Sequence, residues 1–299
     1  MRDVACETAA GEGSSSHEPV RIPHPASRIP HPETTMPRSL SVALLAITVL
    51  AVGCHRGPKE QRALAWAGSI PAGGWIRIRN ISGTIMVRRS PAAQVQVSAT
   101  ERWRRGNPRD VRFARDSTGG DVTICTMYGR GGTCSAHAYR TTARPRWCFW
   151  CRNDVSVDYV VTIPSGVKVD ASTVNGGLTI DGGAEVMAET VNGKVQVSTL
   201  TGPVHAESVN GSVIARVDSL SGSGDVSAET VNGSVTAELP GALNADVEME
   251  TVNGRVHAEY PLTAADSSDR HHLRATIGAG GRRVRLETVN GSVTLRKHG

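Results

Sequence analysis

Aromatic residues are scarce in this sequence of 299 residues. It contains 2 Phe and 4 Tyr, and aromatic side chains make up 4% of the chain, against 32 glycines. Valine, threonine and serine are frequent instead, and small branched side chains suit thin stacked β layers better than a globular core. No long helical pattern occurs outside the N-terminal region. The sequence therefore predicts an all-β protein.

Familiar catalytic motifs are also missing. The sequence has no Gly-x-Ser-x-Gly, no His-Glu-x-x-His and no glycine loop of the kind that binds phosphate. Histidines such as His205 and His257 fall at polar positions of alternating segments, as expected of a solvated outward face. We therefore predict that the protein is not an enzyme, with no catalytic residue, no metal ligand and no cofactor.

A tetrapeptide, Thr/Ser-Val-Asn-Gly, recurs through the C-terminal half of the chain. Its asparagines are Asn175, Asn192, Asn210, Asn232, Asn253 and Asn290. They are separated by steps of 17, 18, 22 and 21 residues and then by one of 37, which we interpret as two units. A fixed period of this length is typical of stacked repeats. The motif predicts a β-solenoid with the asparagines at the corners of its rungs.

An antiparallel β meander is the alternative architecture. In a meander, Asn-Gly would form a two-residue type I′ turn, because both residues tolerate positive φ. Stacking explains better why the same four residues recur, since asparagine amides can bond along a ladder and the valines can fill one core. We therefore favour a solenoid with a spacing of about 4.8 Å between rungs.

A glutamate directly precedes the motif in five of the six repeats. These residues are Glu189, Glu207, Glu229, Glu250 and Glu287. Stacked rungs would place them in a column, where like charges about 5 Å apart repel. We interpret the column as a solvated edge, and the alternative is a bound cation such as calcium.

The N-terminal region predicts an exported protein. Residues 1–35 are polar and rich in proline, and we interpret them as disordered or as a mis-assigned start before Met36. Residues 36–53 resemble a bacterial lipoprotein signal peptide, although Leu50 stands one position early for the usual pattern. The resemblance implies an acylated Cys54, a tether at 54–68, membrane attachment through the lipid and a location in the bacterial cell envelope.

Four further cysteines lie close together, at Cys125, Cys134, Cys148 and Cys151. In an oxidising compartment such a set usually forms two disulfides. Local spacing favours Cys125 with Cys134 and Cys148 with Cys151, while the crossed pairings stay open. A zinc site with four thiolate ligands is the rival interpretation.

The segment at about 102–152 is rich in arginine, tryptophan and cysteine, and we interpret it as an insertion. Arginine pairs with anions and aromatic faces stack on sugar rings, so the candidate contacts are Arg104, Arg105, Trp147 and Trp150. Outside the cytoplasm the expected partner is a glycan or an envelope protein and not a nucleic acid. The alternative is a loop that caps the solenoid, with its arginines merely solvated.

Two segments carry a family resemblance. The alternating run 155–163 is followed by Pro-x-Gly, a second strand and the first Val-Asn-Gly, and earlier Ile70-Pro71-Ala72-Gly73 is followed by a strand from Ile76. This resembles a bacterial family of unknown function called putative adhesins. The resemblance spans residues 69–299 and implies a fold similar to a right-handed β-helix, with a non-catalytic binding or scaffolding role. The alternative function is a polysaccharide-active enzyme on a β-helix.

Overall fold

The computed structural model describes residues 58–142, 154–220 and 224–298. These residues belong to the compact unit Cys54–Gly299. Several predictions therefore lie outside the described residues, namely those on segments 1–35 and 36–53 and on Cys54, Trp147, Cys148, Trp150 and Cys151. In the described part of the chain, no helix has the length and apolar character to cross a membrane.

Short strands and one 3₁₀ turn make up the regular structure of the described residues. The N-terminal part contains β1 (Lys59–Gly68), β2 (Trp75–Arg79), β3 (Ile85–Arg89), β4 (Val95–Trp103), the turn Pro108–Asp110, β5 (Val111–Thr118), β6 (Asp121–Tyr128), β7 (Gly132–Cys134), β8 (Tyr139–Thr141) and β9 (Ser156–Ile163). The middle contains β10 (Lys168–Asn175), β11 (Leu178–Asp181), β12 (Val186–Asn192), β13 (Val195–Thr199), β14 (Val204–Asn210), β15 (Val213–Val217), β16 (Val226–Asn232) and β17 (Val235–Pro240). The C-terminal part contains β18 (Ala245–Asn253), β19 (Val256–Ala258), β20 (Ala264–Ser268), β21 (His272–Ile277), β22 (Arg283–Asn290) and β23 (Val293–His298).

All the strands except the β7–β8 pair form two large sheets, which run along a stack of rungs. Sheet 1 has the order β1-β4-β9-β3-β11-β13-β15-β17-β23-β19, and sheet 2 has the order β20-β21-β18-β22-β16-β14-β12-β10-β2-β6-β5. Each rung of the stack contributes one strand to each sheet, and neighbouring rungs pair in parallel with equivalent residues in register, such as Asn192 with Asn210. The predicted solenoid is confirmed, and the antiparallel meander is wrong for these rungs.

The core lies between the two sheets and is built from small branched side chains. Alternate residues of each strand point inward, so β12 buries Val186 and Ala188 while β13 buries Val195 and Val197. The next rung repeats the pattern with equivalent residues in register. Columns of valine and alanine thus fill the interior with few aromatic side chains, as the composition predicts.

The spatial order of the rungs differs from their order in the chain. The rung β22/β23 lies between β16/β17 and β18/β19, because β22 pairs with both β16 and β18. The intervening β20 and β21 form an antiparallel extension beyond β18. The interpretation of the 37-residue step as two stacked units is therefore wrong, since those residues hold an end hairpin and a return to the stack.

The N-terminal end is closed by antiparallel strands. Strand β1 pairs with β4, which pairs with β9, and Leu64 and Trp66 pack against the core. Residues 59–68 are therefore a strand and not part of a tether, because backbone pairing and apolar packing fix them. The solenoid domain begins before residue 69.

Much of the predicted insertion is integral to the stack. Strand β6 pairs in parallel with β2 and in an antiparallel way with β5, so this hairpin extends sheet 2. Residues Val122–Tyr128 are buried on both faces of β6. One face meets the core, and the hairpin β7–β8 covers the other through the disulfide Cys125–Cys134, the pairing that local spacing favours. The extra residues therefore cap one end of the solenoid.

Candidate binding groove

The threonine or serine of the motif points inward. In five repeats its hydroxyl donates a hydrogen bond of 2.8–2.9 Å to a glycine carbonyl of the neighbouring rung, as Thr230 Oγ1 does to Gly211. In the first repeat Thr173 makes the same contact with Gly83 at 3.3 Å. A buried hydroxyl needs such a partner. The hydroxyl position is thus explained by stacking.

The glycine of the motif is needed because neighbouring backbones approach closely. A Cβ on Gly233 would collide with the carbonyl group of Gly211, and the corresponding contact recurs at the other motif glycines. The amide of five of the six motif glycines also bonds across the rungs, as Gly211 N–H does to the carbonyl of Asn232 at 2.9 Å. Glycine therefore permits the spacing that these bonds require.

The motif asparagines form the predicted ladder. Five side-chain hydrogen bonds of 2.8–2.9 Å run along the ladder, in which Nδ2 of each asparagine donates to Oδ1 of the preceding one, in the spatial order Asn175, Asn192, Asn210, Asn232, Asn290 and Asn253. This prediction is confirmed. The three residues Thr/Ser, Asn and Gly of the motif all serve contacts between rungs.

The valine of the motif points outward, which corrects the prediction that it fills the core. Six valines form a continuous stripe along the outer face of sheet 2, and we call them the valine stripe: Val174, Val191, Val209, Val231, Val289 and Val252. Their side chains are between 36% and 59% exposed. The reason is the period of two in a strand, since Ala188 and Thr190 face inward and Val191 must face outward.

The predicted glutamates form a column beside the valine stripe. We call them the glutamate column, in the spatial order Glu189, Glu207, Glu229, Glu287 and Glu250. Arg285 Nε lies 2.6 Å from Glu287 and 3.9 Å from Glu229. This neighbouring arginine therefore offsets repulsion in one part of the column.

A groove of about 630 Å³ runs along these two columns. Its lining combines the glutamate column, the valine stripe and five Thr or Ser residues of the motif, and it includes Tyr139 of the β7–β8 hairpin. The Tyr139 hydroxyl donates to the Thr126 carbonyl oxygen at 2.6 Å, and burial raises its pKa, so the phenol stays neutral. The disulfide-bonded cap and the repeats therefore contribute to one surface, which is acidic along one side and apolar along the other.

The candidate contacts named from the sequence are elsewhere. Arg104 and Arg105 follow β4 in sheet 1, and with Gly106 they donate backbone hydrogen bonds to the Asp154 carboxylate. Desolvation raises the pKa of Asp154, but these bonds outweigh it and hold that pKa below its ordinary value. Neither arginine lines the groove. The residues that do line it were identifiable from the period-two alternation of each repeat.

One group beside the groove has the composition of a metal site, and two of its three residues, Glu189 and Glu207, line the groove. Ligand atoms of Glu189, His205 and Glu207 all lie within 4.8 Å of one another. The other described glutamates of the column have no histidine in this arrangement. The groove as a whole offers carboxylate acceptors and an apolar contact surface, which suit recognition of a cationic and apolar ligand.

The chain is similar to known proteins in sequence and in structure. No curated protein matches the sequence significantly. A crystal structure of a putative cell adhesion protein from Clostridium sporogenes is 10% identical with a TM-score of 0.45, covering 81% of this chain and 100% of the other. A putative adhesin from Bacteroides fragilis is 10% identical with a TM-score of 0.35, covering 81% and 99%. The sequence model of Toastrack DUF4097 matches residues 112–296, more than half of the chain. The chain therefore belongs to the Toastrack DUF4097 family.

Proposed function

We propose that this protein is a non-catalytic, lipid-anchored component of the bacterial cell envelope that binds an extended partner along the groove of sheet 2, in the manner of an adhesin. One observation carries the proposal. Contacts between rungs account for the Thr/Ser, Asn and Gly of each repeat, but the outward glutamate and valine make no hydrogen bond that stacking requires. Their repetition over five and six rungs is best explained by a ligand that contacts several rungs at once.

The groove indicates the chemistry of the partner. The formal charge of the whole chain is +5, so the charge of the acidic face is opposite in sign to the net charge of the chain. A column of carboxylates attracts cationic groups, and an exposed stripe of valines contributes contact area once water is displaced. We infer that the partner is an envelope protein with an extended segment in which basic and apolar residues alternate.

Binding can be tested with defined probes. We would measure fluorescence anisotropy of a labelled peptide that alternates lysine and valine, beside one that alternates glutamate and valine. The parent protein should bind the lysine peptide at least about tenfold more tightly, which corresponds to about 1.4 kcal/mol. Equal affinity for both peptides would contradict the proposed electrostatic recognition.

A matched pair of variants assigns the site. Val209→Thr with Val231→Thr changes two outward valines of the groove, whereas Ile214→Thr makes a similar change on the outer face of sheet 1. The first variant should weaken binding of the lysine peptide and the second should not. Equal loss in both would place the binding surface elsewhere.

The proposal of a lipid anchor is based on the apolar stretch 40–52 and on Cys54 after it. Cells that express the full chain should incorporate radiolabelled palmitate into it, and Cys54→Ser should abolish labelling and release the protein from the membrane fraction. Unchanged labelling in that variant would overturn lipidation at Cys54.

Cleavage of a polysaccharide is the alternative function, because carboxylates line the groove. Incubation with polygalacturonate and other acidic glycans should yield no new reducing or unsaturated ends. Product that disappears in Glu207→Gln would overturn the non-catalytic proposal.

A further inference from the structure

We propose that Glu189, His205 and Glu207 form a site for a divalent transition metal, with Zn²⁺ the best-matched ion. The site goes beyond the proposed function, because it requires no partner and shares only Glu189 and Glu207 with the groove. It combines an imidazole with two carboxylates contributed by two neighbouring rungs.

The stacking register brings the three side chains together. Strands β12 and β14 pair so that Glu189 lies opposite Glu207, and His205 precedes Glu207 by two residues on the same outward face. His205 Nε2 lies 2.8 Å from Glu207 Oε1, and all three ligand atoms fall within 4.8 Å of one another. These positions follow from the backbone, so the cluster is built into the fold.

The distances fit a small ion after modest side-chain rotation. Zinc takes nitrogen and oxygen ligands at about 2.0–2.2 Å, so two ligands of one tetrahedral ion lie roughly 3.3–3.6 Å apart. The contact of 2.8 Å and the limit of 4.8 Å lie on either side of that range. Glu189 is exposed and the other two are half-buried, so rotation of the side chains can supply the change of about 1 Å in separation that the ion requires.

The charges around the cluster favour a cation. Arg285 contacts Glu229 and Glu287, but within the described chain no lysine or arginine forms an ion pair with Glu189 or Glu207. Arg79 lies two rungs from Glu189 in the register and is engaged with the Asp170 carboxylate. Two carboxylates about 5 Å apart thus lack a permanent positive charge, which a divalent ion would supply.

The ligand types select among metals. Calcium requires six to eight oxygen ligands, which this set does not provide, whereas imidazole with carboxylates suits zinc and its neighbours in the first transition row. Three protein ligands leave a fourth position for water or for a donor from another molecule. The site is therefore open to solvent and to the groove.

The test is calorimetric titration of Zn²⁺ into the full chain. His205→Ser, Glu189→Gln and Glu207→Gln should each weaken binding by at least about tenfold, since even outer-shell changes typically cost that much. His205→Ser installs the residue that the next rung already carries at Ser227, so the fold should tolerate it. Circular dichroism of each variant checks the fold.

Two controls separate this site from other zinc ligands. Glu250→Gln removes a carboxylate of the same column, and His257→Ser removes an exposed histidine of sheet 1; neither should change the affinity by more than about twofold. All these proteins share the same cysteines, so zinc bound by thiols contributes equally to each titration. Unchanged affinity in His205→Ser, or an equal loss in Glu250→Gln, would overturn the proposed site.

Discussion

The two outer faces of the solenoid are built from strands of similar length in the same rungs, yet they differ in uniformity. An outward column of sheet 1 contains, in spatial order, Met86, Thr179, Gln196, Ile214, Thr236, Thr294 and His257. In sheet 2 one outward column is nearly all glutamate and another is all valine, whereas a third is varied and contains Met187, His205, Ser227 and Arg285. Stacking therefore tolerates varied outward residues in both sheets. The uniformity of the glutamate column and the valine stripe needs a cause other than stacking, and that comparison leads to the proposed groove.

We expect the largest change in stability from substitution of the corner glycines, which make contacts between rungs and are needed for stacking. Gly233→Ala places a Cβ against the Gly211 carbonyl and should lower the free energy of unfolding by about 3 kcal/mol, the upper part of the range for overpacking. Gly241→Ala is the control, since its Cβ would meet nothing within 4 Å. Urea denaturation measures both. Equal stability of the two variants would show that the corner relaxes and that close approach does not explain the motif glycine.

Removal of the inward hydroxyl should cause the next largest loss of stability. Thr230→Val keeps the shape of the side chain but removes its bond to the Gly211 carbonyl, and we expect a loss of about 1–2 kcal/mol. Val231→Thr makes the reverse change on the adjacent outward position and should stay within about 0.5 kcal/mol. If the two variants lose similar stability, the assignment of inward and outward roles within the motif is wrong.

The asparagine ladder should show a position dependence. Asn232 makes two bonds of the ladder, whereas Asn253 at the end makes one. Asn232→Ala should cost about 1 kcal/mol and Asn253→Ala about half of that, because each exposed bond contributes about 0.5 kcal/mol. Thermal unfolding of both variants measures the ratio, and equal losses would mean that corner conformation matters more than the ladder.

We expect the smallest changes in stability from substitution of the charged residues on the two outer faces. Glu189→Gln removes a carboxylate that neighbours Glu207 in the column, so it should raise stability by a few tenths of a kcal/mol at low ionic strength. Glu238 of sheet 1 lies between Arg216 and Arg296 in the register, so Glu238→Gln should lower stability by a similar amount. Both differences should disappear at high salt. Shifts of the same sign would contradict the electrostatic contrast between the faces.

Much of the fold could be predicted from the sequence, because the repeated motif indicates stacked rungs and the alternation of apolar and polar residues indicates strands. The stacked rungs, the asparagine ladder and the glutamate column all follow from the position of residues such as Asn192 and Glu189 in each repeat. The outward direction of Val191 could have been predicted as well, since it is out of phase with the buried Val186 and Ala188. The tetrapeptide contains both inward and outward residues, so its repetition alone does not indicate which of them are buried.

The order of the rungs could not be predicted, for a physical reason. Strands β18 and β22 have closely similar inward residues, Val247 and Met249 in one and Val284 and Leu286 in the other. Either strand can therefore pair with β16, and the repeat itself does not specify its neighbour. Contacts of the end hairpin β20–β21 with β18 distinguish the two arrangements. Strand β1 was predicted as part of a tether for a similar reason, because its pairing with β4 links residues that are distant in the sequence.

The position of β22 and β23 has a consequence for protein engineering. Both strands have partners on each side, so a further repeat joined directly after β23 would find no free edge beside either strand. Lengthening this protein requires duplication of a unit within 186–235, where chain order and spatial order coincide. A duplicated unit there would add one asparagine, one glutamate and one valine to their columns while leaving both end caps intact.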